Sequence, residues 1–432
     1  MILTKKLNYI VNICFCLTLI MAGPIKVRSQ ELDLYTCYER AEEQSPLKQQ
    51  ANYLSSTRAL NKLIDRNGYL PDFLLKAVAS YQSDVFSLPF DPPGVEVPEI
   101  PKDQYQLSLH VSQNIYDGGV VRSKKLISDA ELDIRSQQLE VNLYKIRSVI
   151  NDLYFSILAK QAEDLINNQL NDELENQLDR VSSAIQNGLL LPSSKLAVQR
   201  EMLLAEQDSE GIQLELQALR DVLSEWIGRE ISPETQLALP DNVVIEHSIQ
   251  RPEIQLFRSQ VLKYEASKSQ LEALSHPRVV GFANLGYGNP NPYNFFETEW
   301  ISFYMVGGRL EWRFWDWNSS RNKKQLLNIN QDIVKTEQAN FEKEINHRLT
   351  QVMAKVSLLE SSISTDRELI EIQTKIAEEA RRQFEKGVIS SRDYVSELNK
   401  LTQAELKLRM HLIQLSKLKV DHQTISGNIE KP

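Results

Sequence analysis

Glycine and proline are both scarce in this chain, 15 and 16 among 432 residues. Their scarcity excludes collagen-like and low-complexity sequences and disfavours all-β folds full of tight turns, so long helices are expected. Cysteine is scarcer still, with three residues, which excludes a disulfide scaffold and a Cys-based zinc site. Positive charge is in deficit. The net charge is −9, which argues against a nucleic-acid partner held by backbone neutralisation. Beyond the N-terminus no apolar run reaches about 18 residues, so a helical transmembrane bundle is excluded. The six His show no ligand spacing, and no phosphate loop, nucleophile elbow or HExxH motif occurs. No enzyme activity, metal or cofactor is therefore expected.

What is present begins with an address. Lys5 and Lys6 precede an apolar stretch from Leu7 to Met21, followed by Ala22 and Gly23. This reads as a secretory signal peptide over residues 1–23. An N-terminal membrane anchor is the other reading, disfavoured by the short span and by Asn8 and Asn12. Removing the segment takes away Lys5 and Lys6 as its only charges, so the net charge becomes −9 − 2 = −11. Cys14 and Cys16 would leave with it. Cys37 then remains as a single thiol, which is expected to be buried and inert.

The rest of the chain is two copies of one plan. Asp117 and Asp316 each close an alternating stretch and lie 199 residues apart. Arg122-Ser123-Lys124-Lys125 and Arg321-Asn322-Lys323-Lys324 share that offset, as do Asn187-Gly188-Leu189 and Lys386-Gly387-Val388, and Gly228 and Gly427. A fixed offset over several landmarks marks an internal repeat with helical segments of equal length. The first repeat is read as 24–231, a linker as 232–247 and the second repeat as 248–432.

Each repeat carries a strand pair, about 71–117 and 277–316. From Tyr105 to Ile115, Leu107, Leu109 and Val111 alternate with Ser108, His110 and Ser112. From Tyr304 to Phe314, Val306, Leu310 and Trp312 alternate with Arg309, Glu311 and Arg313. Period two gives a strand one apolar and one polar face. About 11 residues also suffices for a tilted strand to cross a bilayer. Partner strands are expected at Phe73–Phe86 and Val279–Tyr287. Trp300, Trp312, Trp315 and Trp317, four of the five Trp, crowd the second pair, as in the aromatic girdles of membrane barrels. Four strands cannot close a barrel, for which about eight is a practical minimum, so a barrel would have to be shared between chains.

Each repeat also carries a long helical hairpin. No Gly or Pro interrupts Val120–Asn187 or Arg309–Lys386. A helix of that length spans roughly 100 Å. Leu143, Ile146, Ile150, Leu153 and Ile157, and in the second copy Phe341, Ile345, Leu349, Val352 and Val356, step by three and four, the spacing of a coiled-coil seam. Both helices turn at a Gly, with tips at 187–190 and 386–389, and return as Ser193–Ile227 and Ser390–Ser426. A shorter helix leads into each strand pair, about Leu32–Arg66 and Gln250–Leu274.

At this point the chain resembles the TolC-type outer-membrane efflux proteins. The resemblance covers the whole chain after the signal. It rests on Gln113-Asn114-Ile115-Tyr116-Asp117-Gly118-Gly119, Trp312-Arg313-Phe314-Trp315-Asp316-Trp317, Phe384-Glu385-Lys386-Gly387-Val388 with Asp393-Tyr394-Val395, and Arg251-Pro252-Glu253-Ile254. It implies a mainly α fold with a β-barrel part: four membrane strands per chain, and a homotrimer sharing a 12-stranded barrel above an α-helical tunnel. It implies an outer-membrane location reaching into the periplasm. The function implied is a passive exit duct for efflux or type I secretion, supplied by a periplasmic adaptor protein and, through it, an inner-membrane pump. Gly188, Leu189, Gly387 and Val388 would be the adaptor-binding tips. Leu107, Leu109, Val111, Val306, Leu310 and Trp312 would face outer-membrane lipid. Asp393 matches an acidic ring position of the tunnel constriction, and an ordinary solvated residue is the equal alternative. Ile389 and Ser396 depart from the charged pattern usual there. The basic residues after Asp117 and Asp316 read either as a solvated face or as partners of lipid phosphates. The competing reading of the whole is a secreted periplasmic coiled-coil scaffold or adaptor without a pore.

Overall fold

A computed structural model describes residues 32–86, 94, 99–188, 190–240, 243–246, 248–294 and 297–428. The signal peptide read at 1–23 and Leu189 of the first tip lie outside the described residues.

The chain runs α1 (Leu34–Gln44), α2 (Lys48–Asn67), β1 (Asp72–Tyr81), β2 (Asp103–Tyr116), α3 (Val120–Gln186) and α4 (Pro192–Ile227). It continues through α5 (Pro252–Ser275), β3 (Arg278–Asn289), β4 (Ile301–Glu311), α6 (Ser319–Glu385) and α7 (Ser391–Ser426). The fold is mainly helical with one small antiparallel sheet. Helices α3 and α6 have 67 residues each, and α4 and α7 have 36 each.

Three elements differ from the sequence reading. The helix expected over Leu32–Arg66 is broken: Ser45 caps α1 in an extended conformation (ψ 128°) before Pro46. A proline ring clashes with a helical residue before it, so Ser45 must leave the α region. The corresponding α5 meets no such break because its Pro252 sits at the helix start, where no N–H is missed. Strand β1 stops at Tyr81 rather than Phe86. Strand β4 stops at Glu311, so Trp312, read as a strand residue, lies just beyond it. Its indole N–H donates to Ser275 O at 3.2 Å, tying it to the end of α5 instead of a ladder.

The sheet order is β1-β2-β3-β4, antiparallel throughout. β1 and β4 each keep one open edge. A bulge between Asn114 and Tyr116 shifts the β2–β3 register, which lets Ile115 and Tyr116 both stay exposed.

Helix α3 is the hub: α1, α2, α4, α5 and α7 all pack on it, α5 also packs on α6, and α6 packs along α7. The largest core lies midway along the hairpins. There Ile150, Tyr154, Phe155 and Ile157 of α3 meet Leu216, Leu223 and Ile227 of α4, Cys37 and Tyr38 of α1, and Val420 of α7. The linker joins this core. Leu32 bridges to Leu237 in a short parallel contact, and the Tyr154 hydroxyl lies within hydrogen-bonding distance of both Leu32 O (2.7 Å) and Ala238 O (2.6 Å), sharing its one proton between them. Cys37 is fully buried. Burial, with Asp33 nearby, pushes its thiol up to about 12, so it is inert.

Candidate functional site

The sheet is one-sided. Pairing places Phe73, Leu75 and Ala77 of β1 beside Val111, Leu109 and Leu107 of β2. Those in turn lie beside Ala283, Leu285 and Tyr287 of β3, and then Val306, Tyr304 and Ser302 of β4. This face is apolar and open. Leu107, Val306 and Leu310 are exposed by 49%, 71% and 68%, and Leu109 and Val111 are half-buried. Trp312 is exposed just past the strand. The opposite face is polar in its centre. Ser108 Oγ lies 3.0 Å from His110 Nε2, and His110 Nδ1 lies 2.7 Å from Asn284 Oδ1. Phe303 also lies on that face and passes over Gly286, where an added Cβ would stand 2.2 Å from its ring.

Aromatic groups sit at both ends of the apolar face. Trp300 stacks on Tyr105 and Tyr287, with centroids 5.9 and 5.5 Å apart. Tyr116, Trp312, Phe314, Trp315 and Trp317 are exposed at the helix end. Tyr105 and Tyr116 are 11 positions apart. At about 3.3 Å per residue and a tilt of about 40°, they are separated by roughly 28 Å along a barrel axis, close to the height of a membrane band.

The joints between strand and helix are built alike. Asp117 accepts from Gly119 N (3.0 Å) and Val121 N (2.7 Å), and Asp316 accepts from Ser320 N (2.7 Å). Each carboxylate thus satisfies first-turn donors that have no partner within the helix. The backbone turns through Gly118 and Gly119 at φ +68° and +91° in the first copy, and through Trp317 and Asn318 at +56° and +61° in the second.

The tips are bare. Gly188 and Gly387 have φ of +74° and +71°, and nothing lies within 4 Å of a Cβ placed on either. They are Gly for the sake of the turn, not for lack of room. Val388 is 69% exposed. Just inside the tips a second core holds Leu174 and Val181 of α3, Val198 of α4, Phe384 of α6, and Tyr394 and Val395 of α7. Asp393 is exposed and forms a capping box with Ser390. It accepts from Ser390 N at 3.1 Å and from its hydroxyl at 2.7 Å. These bonds hold its carboxyl below the usual aspartate range.

Sequence reasoning missed what joins the two hairpins here. The Tyr394 hydroxyl donates to Glu173 at 2.9 Å, and its ring stacks on Phe384 at 5.9 Å. Burial raises the tyrosine's pKa, and Glu173 adds to it. Three-dimensional pairing of residues 221 apart leaves no local signal. The adjacent Gln177 is fully buried with neither side-chain polar atom partnered.

No protein-family profile matches the chain, and no curated protein matches its sequence. Solved structures do match its fold. The chain is similar to the channel protein CusC, with TM-score 0.69 and 12% identity over 94% of this chain and 95% of that one. It is similar to the CmeC outer membrane channel of Campylobacter jejuni, with TM-score 0.63 and 14% identity over 92% and 86%. It is similar to the outer membrane protein VceC of Vibrio cholerae, with TM-score 0.64 and 15% identity over 92% and 97%. At these identities the likeness is one of fold: the chain shares with these channel and membrane proteins long helical hairpins joined to four strands.

Proposed function

We propose that the chain is one subunit of a trimeric duct through the outer membrane, an exit for small molecules or other cargo delivered in the periplasm. The carrying observation is the sheet, whose largely apolar face is open and whose two edges are unpaired. In water that combination is an aggregation hazard. In a bilayer an open edge is also forbidden, because each unpaired backbone group costs several kcal/mol. Both problems vanish if β4 of one copy pairs with β1 of the next and three copies close a ring of twelve strands. A soluble scaffold would have to bury this face. Apolar residues also lie bare on helix flanks, including Leu60 and Leu63 of α2, Leu203 and Leu214 of α4, and Leu326, Ile329 and Ile333 of α6. They fit packing between neighbouring copies around a tunnel.

In this reading Leu107, Leu109, Val111, Val306 and Leu310 face lipid, with Trp312 at the interface. The tips, Gly188 and Leu189 with Gly387 and Val388, face a periplasmic adaptor, which links the duct to an inner-membrane pump. Bare glycines beside exposed Val388 let another hairpin approach closely. Asp393 serves the capping box first. Three copies would also place its charge near the tunnel mouth, where it would favour cations. The architecture serves drug or metal efflux and type I secretion alike.

The test is the mass of the protein extracted from outer membranes in mild detergent, followed by conductance in planar bilayers. A trimer with discrete ion-conducting steps supports the duct. A monomer, or protein soluble without detergent, overturns it.

A further inference from the structure

The two long helices begin in an electrostatically costly way. Arg122, Lys124 and Lys125 stand in the first turns of α3, and Arg321 and Lys323 in those of α6; all five are exposed. None has an ion-pair partner among the described residues. Their sixth companion, Lys324, is held by Glu272 at 2.8 Å. Cations at a helix N-terminus oppose the macrodipole. Asp117 and Asp316, at the joints, give oxygens to backbone N–H groups, with only Lys323 close enough to Asp316 to feel its charge. Five cations without a salt bridge therefore gather where the helix itself disfavours them.

Their height is informative. Residues 122–125 lie about 3–8 Å along the axis from the start of α3. The headgroup layer of a bilayer leaflet is about 5–8 Å deep. Immediately on the strand side stand the exposed Tyr116, Trp312, Phe314, Trp315 and Trp317, side chains suited to a membrane interface. The order along the molecule is apolar sheet, aromatic belt, cationic turns. The cations occupy several sides of each helix instead of converging on one pocket, which fits a plane of phosphates and not a single small anion.

Resting on the membrane reading above, we propose that these turns form a collar that binds the phosphodiester headgroups of anionic phospholipids in the periplasm-facing leaflet. The lipid charge offsets the repulsion between the cations and the helix N-termini, and the collar sets how deep the barrel sits. Lys324, already paired, contributes least.

The test uses the full-length protein purified from outer membranes and reconstituted into vesicles of equal phosphatidylglycerol and phosphatidylcholine. It is then recovered with its bound lipid, and the two lipids are counted by mass spectrometry. Enrichment of phosphatidylglycerol by about threefold or more over the bulk is expected, falling toward equality in 0.5 M salt. The variant Arg122→Gln, Lys124→Gln, Lys125→Gln, Arg321→Gln, Lys323→Gln should lose the enrichment. A variant exchanging Arg and Lys at the same five positions should keep it. Inorganic phosphate at millimolar concentration should not displace the lipid, whereas displacement would mean a free-anion site and overturn the collar. Equal binding of both lipids by the native protein, or undiminished enrichment in the Gln variant, overturns it as well. If the Gln variant fails to assemble, the salt dependence of the native protein decides. A native protein that is trimeric and conducting but shows no enrichment refutes the collar and leaves the duct standing. A native protein that does not enter vesicles refutes both.

Discussion

Gln177 sits in the apolar seam near the tips with its amide nitrogen and oxygen both unpartnered. Leaving such a group dry costs about 1–3 kcal/mol. Replacing it with Leu should raise the free energy of local opening of α3 around Leu174–Val181 by about 1–2 kcal/mol, read by hydrogen exchange. Asp393 titrates in a defined direction. Ser390 lowers its carboxyl from the ordinary 3.8. A depressed folded-state pKa means the capping interaction is fully present above the unfolded value and is lost as pH falls through the folded one. The protection factor of the Asp393 amide, whose N–H donates to Ser390 Oγ, should therefore fall on acidification below about pH 3.8, and Asp393→Asn should remove that pH dependence. The sequence placed Asp393 correctly after the turn but said nothing of its bond to Ser390, since Ser-x-x-Asp reads equally as a cap or as chance. Trp317 and Asn318 were likewise unreadable. Their positive φ values follow from their place at the joint where the first copy has Gly118 and Gly119. A bulky side chain there is strained, so Trp317→Gly should relieve about 1 kcal/mol, seen as a rise in the melting temperature of the detergent-solubilised protein.

Among elements, the long helices were the most legible. Their apolar steps and the missing Gly and Pro located α3 and α6 to within a residue at the tip end. Periodicity of two found β2 and β4, because one face must be apolar along the strand, and β1 and β3 were placed only as the partners that precede them. It overran β4 by three residues: aromatics continue the alternation to Phe314 although pairing ends at Glu311. Alternation reports faces, not hydrogen bonds. The short helices were least legible, and Pro46 is the physical reason that one became two. The sheet's exposed face yields a direct test. Leu109→Arg together with Val306→Arg, both on rows near mid-height of the apolar face, places two charges where lipid is expected, at a cost of about 2–4 kcal/mol each near the midplane. Outer-membrane assembly, measured as the trimer fraction in detergent extracts, should collapse. The paired control Met305→Gln, a near-isosteric polar change at an exposed position on the opposite face, should assemble normally.

For the whole molecule, closure depends on edges that the isolated chain leaves open. Ala77→Cys in β1 combined in turn with Tyr304→Cys, Val306→Cys or Gly308→Cys in β4 samples the possible registers between neighbours. At least one pairing should give disulfide-linked dimers and trimers under oxidising conditions. Cys37, buried with its thiol pushed up to about 12, should stay silent. Absence of cross-linking in all three pairings would contradict the shared barrel.

The matched lengths of the hairpins carry a consequence of another kind. Two 67-residue helices and two 36-residue helices act as the staves of one cask, and staves must end on a common plane. Deleting a single residue shortens a stave by about 1.5 Å and swings everything beyond it through about 100°, turning its apolar seam away from its neighbours. Only changes of about two full turns, near seven residues, restore the seam, and only if both hairpins change together does the rim stay level. In the proposed duct the permissible tunnel lengths are therefore quantised, and its two halves are bound to grow or shrink in step, while the loops above them are free to vary.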